Sequence, residues 1–151
     1  MSALNSLLVT PELATGTSAK TLMQIVAPSN HRVLLKHLEV AFQGITATDT
    51  PILVELLRQT DAGTTDALTP VKKCSADDET LQVTARQAKT SGHVEPTAGD
   101  VIFRTYVHPQ TARRAAYTSE RAYVIKGGER LGVRVTAGVS VNATVSAEVE
   151  E

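Results

Sequence analysis

Apolar residues occupy every second position from Val139 to Val149, with Val141, Ala143, Val145 and Ala147 between them. Ser140, Asn142, Thr144, Ser146, Glu148 and Glu150 fill the alternate places. Side chains alternate across a strand with a period of two, so this stretch buries its apolar set only as a half-buried β-strand laid against a core. A helix would scatter the same residues around its circumference.

The rest of the chain has the same character. Thr, Val and Ile recur throughout, and their branched Cβ atoms favour strands over helices. Turn residues break the sequence at short intervals: Pro28-Ser29-Asn30, Gly44, Asp49-Thr50-Pro51, Asp61-Ala62-Gly63, Ser91-Gly92, Pro96 to Asp100, Pro109, Gly127-Gly128 and Gly138. Short apolar runs between regular turns imply an all-β sandwich or barrel. Strands are expected at Thr21–Ala27, Val33–Gln43, Ile52–Gln59, Thr84–Thr90, Val101–His108, Ala115–Ser119, Arg121–Lys126, Leu131–Thr136 and Val139–Val149. The alternation of Val33–Gln43 is imperfect in its middle, and Ile52–Gln59 is almost continuously apolar. Leu53–Leu57 is too short for a helix of consequence. Pro70–Thr84 reads either as a long loop or as one turn of helix opened by Asp77-Asp78-Glu79.

Residues 1–18 lack a regular pattern, being broken by Thr10-Pro11-Glu12 and Thr15-Gly16-Thr17-Ser18. They read as an N-terminal arm outside a domain of residues 19–151, whose deletion would leave the fold intact. The competing reading is a first strand, Ser6–Thr10, tucked against the sheet.

A chain of 151 residues with 42% hydrophobic and 21% charged residues can bury a core without disulfides or metals. Its formal net charge is -1, and Lys72, Lys73, Arg113, Arg114, Arg130 and Arg134 are scattered among acids. Nucleic acid is therefore not an expected partner. The single cysteine, Cys74, allows no internal disulfide, which suits folding in a reducing cytoplasm. The start of the chain does not resemble a secretory signal. No apolar run approaches the ~20 residues of a membrane helix, and no membrane partner is expected. With two Phe, three Tyr and no Trp, the chain is poorly supplied for stacking sugars or single-stranded nucleic acid.

Residues that could carry chemistry are not arranged for it. His31 and His37 would lie roughly 20 Å apart on one strand face, His93 sits beside a turn glycine, and His108 precedes Pro109. Cys74 follows two lysines, but no base accompanies it to make a reactive thiol. No G-x-S-x-G or phosphate-loop pattern occurs. Asp77-Asp78-Glu79 lacks the spacing of a calcium loop and reads as a solvated acidic segment. No catalytic, cofactor-binding or metal-ligating residue is assigned, and no enzyme activity is expected.

Three stretches carry a resemblance. They are Lys20 to Pro28 (KTLMQIVAP); Pro51 to Arg58 (PILVELLR) leading into Asp61-Ala62-Gly63-Thr64; and Glu95 to Asp100 (EPTAGD) with Tyr106-Val107-His108-Pro109 and Val124 to Ala137 (VIKGGERLGVRVTA). Together they span most of residues 20–149 and resemble small jelly-roll proteins encoded by tailed phages and prophages, several of them head-decoration, or cement, proteins. The resemblance implies a jelly-roll sandwich of two antiparallel sheets with about eight strands, in which Gly127-Gly128 forms a hairpin leading into the last two strands. It also implies a structural virion protein, made in the host cytoplasm, that binds the major capsid protein on the outer capsid surface as a homotrimer. No functional residue carries over. The alternative is a tail or receptor-binding jelly roll that recognises a carbohydrate or protein on the host surface. A cupin-type enzyme is a third class, disfavoured by the missing H-x-H pattern.

Overall fold

The computed structural model describes residues 4–45, 50–76, 78–118 and 120–151. Asp49, Asp77 and Ser119, each part of a segment singled out above, lie outside the described residues. The described chain is all β, with thirteen strands: β1 (Asn5–Val9), β2 (Leu13–Ala14), β3 (Lys20–Val26), β4 (Val33–Phe42), β5 (Ile52–Gln59), β6 (Asp66–Leu68), β7 (Val71–Lys72), β8 (Thr84–Gln87), β9 (Ala98–Val107), β10 (Ala112–Ala116), β11 (Tyr123–Ile125), β12 (Arg130–Thr136) and β13 (Asn142–Glu150).

They form two antiparallel sheets. The seven-stranded sheet runs β10-β4-β13-β1-β7, with β11 also on β4 and β2 on β13; the six-stranded sheet runs β6-β8-β3-β12-β5-β9. One apolar cluster joins their inner faces, with Leu8, Leu35, Val40 and Val145 from the first sheet and Leu22, Ile25, Leu56 and Val133 from the second. Each fully buried aliphatic side chain of this kind contributes about 1.5–3 kcal/mol.

The final strand behaves as its pattern dictates from Asn142 onward. Ala143, Val145, Ala147 and Val149 are buried, while Thr144, Ser146, Glu148 and Glu150 face outward. The strand starts later than expected, because Val139 lies in the preceding turn and is 61% exposed.

Two bulges explain runs that defied simple alternation. In β4, Glu148 opposes His37 and Val149 opposes Leu35, so Lys36 is an extra residue. The inward set therefore switches from Val33 and Leu35 to Leu38, Val40 and Phe42. In β3, Val133 opposes Met23 and Arg134 opposes Thr21, leaving Leu22 extra. Leu22 and Met23 both reach the core, and Thr21 and Gln24, three apart, share the outer face.

Several expectations need correction. Residues 1–18 are not an arm from Leu4 onward. β1 lies between β13 and β7, and Leu8 is fully buried in the core, because Ser6 and Leu8 alternate inward against Val149 and Ala147. The Gly127-Gly128 turn is not a hairpin. β11 belongs to one sheet and β12 to the other, and Gly128, at φ +82°, takes the chain across between them. The strand expected at Ala115–Ser119 sits at Ala112–Ala116. Among the described residues Pro70–Thr84 contains no helix, only the short β7 and, at Thr84, the start of β8. Short strands β2, β6 and β7 raise the count above eight.

Val145→Asp should cost several kcal/mol by placing an unpaired charge in the core, and Ser146→Asp should be mild; urea unfolding of both variants checks the inward face. Deleting residues 1–18 removes β1 and its buried Leu8, so the truncated chain should lose cooperative thermal unfolding.

Candidate functional site

The outer face of the six-stranded sheet carries the densest polar chemistry. Two segments cross it in opposite directions. Thr60–Thr65 leaves β5 for β6 at the far edge, and His93–Thr97 returns from β8 to β9. They meet in a bridge between Thr64 and Val94. Asp61 joins them by accepting hydrogen bonds from the Thr97 and Gly63 backbone N–H groups at 3.1 and 2.9 Å. A hydrogen bond from the Thr97 side chain, followed by these two backbone bonds, holds the Asp61 carboxyl below its ordinary 3.8.

Beneath these straps lie buried polar side chains. Gln24 donates to Gln59 Oε1 at 2.7 Å and to the Asp61 carbonyl at 2.8 Å, and accepts from Arg130 at 2.9 Å. Gln59 donates to the Thr21 hydroxyl at 2.7 Å, and that hydroxyl donates onward to Glu95. Glu95 also accepts from the Thr21 backbone N–H at 2.7 Å. His93 Nδ1 faces the Lys89 backbone N–H at 3.4 Å, which leaves Nε2 to donate to Glu95 at 3.0 Å. Thr21, Gln24 and Gln59 are each at most 4% exposed, so every one of these bonds replaces water. Gly132 makes room: a Cβ there would stand 2.4 Å from Gln59 Oε1. At Gly63, φ is +55° and a Cβ would stand 2.2 Å from the Val94 carbonyl oxygen.

Glu55 forms a second cluster on β5. Its register partners are Arg134 on β12 and Arg104 on β9. Arg104 donates to one carboxylate oxygen at 2.9 and 2.7 Å, and Arg134 to the other at 3.2 and 3.0 Å. Burial raises the Glu55 pKa, but the hydrogen bonds and charges of the two guanidinium groups outweigh it and hold the group below its ordinary 4.5.

The sequence-stated histidines are kept apart. His37 lies on β4, His108 follows β9 and accepts from the Gln110 N–H at 3.2 Å, and His93 belongs to the strap network. His31 precedes β4 and lines an open cavity of about 780 Å³ with Leu4, Leu34, Glu79, Gln82 and Glu151. The Glu151 carboxylate there accepts the Gln82 and Val83 N–H groups at 2.9 and 2.7 Å. Among the described residues no three of His, Cys, Asp and Glu gather as a metal site. Cys74 is exposed.

The strap network was not found from the sequence, although it left a trace: Gln24 and Gln59 are polar residues set within apolar runs. Its partner Glu95 is 74 positions from Thr21, and no local pattern joins them.

No family model, curated protein or solved structure matches the chain.

Glu55→Gln should cost about 2 kcal/mol at neutral pH by weakening charge-assisted bonds. Because the folded pKa is depressed, the contribution is present above pH 4.5 and is lost as pH falls through the folded value. Urea titrations across that range should therefore find the gap to wild type closing toward acid. Gly63→Ala should lower stability by about 1–2 kcal/mol or more, since it meets both strain and a carbonyl; a thermal melt reads it.

Proposed function

We propose that this chain is a structural virion protein that binds the outer surface of a phage capsid and cements the shell across capsomer junctions. One observation carries the reading beyond the resemblance. The carboxylates and the half-buried histidine best suited to acid–base chemistry are committed to holding segments together: Glu55 clamps three strands, Asp61 joins two straps, and Glu95 ties His93 to β3. A small sandwich braced in this way is suited to bridging two neighbouring surfaces.

We also propose a jelly-roll winding. Its support is the repeated passage of the chain between sheets, from β3 to β4 to β5, from β9 to β10, and from β12 to β13. A homotrimer remains part of the proposal on the strength of the resemblance.

Mechanically, a ligand that binds only the assembled shell stabilises it by mass action. Many symmetry-related copies make the total large without tight individual sites. The receptor-binding alternative is favoured by one feature, Tyr106, which is 70% exposed on an edge strand and offers a ring to a sugar.

Saturating undecorated capsids with the purified chain should raise the temperature at which they release packaged DNA. Unchanged release despite saturation would contradict cementing, and binding to host cells in place of shells would favour the receptor reading.

A further inference from the structure

The lateral edge formed by β9 of one sheet and β10 and β11 of the other brings basic and aromatic residues together. Residues 98–126 hold five Lys and Arg against two Asp and Glu, a net charge of +3 in a chain whose total is -1. Four of its five aromatic residues also lie there: Phe103, Tyr106, Tyr117 and Tyr123.

The fold organises this composition. Arg113 reaches from β10 across to β9, its guanidinium carbon 5.8 Å from the Phe103 ring centroid. Tyr117 and Tyr123 meet edge to face at 5.1 Å. Arg104 and Arg114 each contact a carboxylate yet remain 57% and 71% exposed in their side chains. Arg121 is exposed, as are the apolar side chains Val101 and Val124. β9 is ten residues long and, among the described residues, pairs only with β5, so its other side is a sheet edge.

We infer that this edge docks onto a partner protein that presents an acidic strip. Arginine and tyrosine are the residues that most often anchor protein interfaces, and a surplus of positive charge selects and steers toward a negative surface. A second copy meeting the same edge in two-fold fashion would bring like charges together. Nucleic acid fits less well. Single strands are held by free stacking rings, whereas Tyr117 and Tyr123 meet edge to face and pack against the core. In naming the shell subunit as that partner, the inference rests on the decoration reading.

The test has two arms. In the first, the isolated chain is titrated by NMR with a synthetic peptide alternating Glu and Val, and separately with a DNA duplex. Peptide shifts confined to residues 98–126, weakening with salt, are expected. Arg113→Glu, Arg114→Glu and Arg121→Glu combined should raise the peptide Kd roughly tenfold or more, with the corresponding Gln variants intermediate. All three positions are exposed, and an unchanged melting temperature verifies the fold. Shifts elsewhere, an unaltered Kd, or tighter binding to DNA would overturn the inference. In the second arm, wild type and the Glu variant are sedimented with undecorated shells. Peptide binding at the edge without shell binding would sink the decoration reading alone; shell binding indifferent to the Glu variant would sink the assignment of this edge as the docking surface.

Discussion

The hydrogen-bonded pair of Gln24 and Gln59, buried between the six-stranded sheet and the segments that cross it, is the interaction on which most of this architecture depends. Two amides in that position would be costly if left without partners. Each finds them, through Thr21, Arg130 and the Asp61 carbonyl. The requirement then propagates. A bulge at Leu22 places Thr21 on the same face as Gln24, position 132 must lack a side chain so that Gln59 can lie across it, and Glu95 must be returned to β3 by its strap. The apolar core beneath is tolerant of detail by comparison, since volume and pattern largely specify it.

The braced face has a counterpart in the edge at β9. Long sheet edges invite pairing with other chains, and proteins blunt them with charge and bulges. Here both devices are present. Arg104 stands on the edge strand, and the pairing of β9 with β5 shifts register twice. The Arg134–Glu55–Arg104 row fixes the position of β9 relative to β5 and β12. A surface that is held still loses little entropy when it is engaged, which favours binding. Rigidity on one face and an arginine- and tyrosine-rich edge beside it thus belong to one design.

Much of this was legible in the sequence. The strict alternation from Ala143 to Val149 gave the last strand, and turn spacing gave the class and most of the strands. The failures have physical causes. The imperfect middle of Val33–Gln43 was a bulge at Lys36, which reverses parity without changing composition. The almost continuous apolar run Ile52–Gln59 reflects burial on both faces, one by the core and the other where Glu55, Leu57 and Gln59 are covered. β1 was half-visible because Leu4, Ser6 and Leu8 alternate inward, but a small polar residue in the middle weakened the signal. The strap network and the basic edge are both products of long-range placement. Residues scattered along the chain become neighbours only when β9, β10 and β11 close the side of the sandwich.

The central claim is a role on the capsid surface, and the number of copies per particle bears on it most directly. Quantitative mass spectrometry of purified particles, scoring this chain against the major capsid protein, provides that number. The account predicts many copies in a fixed proportion to the shell subunit. A handful per particle would place the chain at the tail, collar or fibre, and absence from the particle would contradict the virion role altogether.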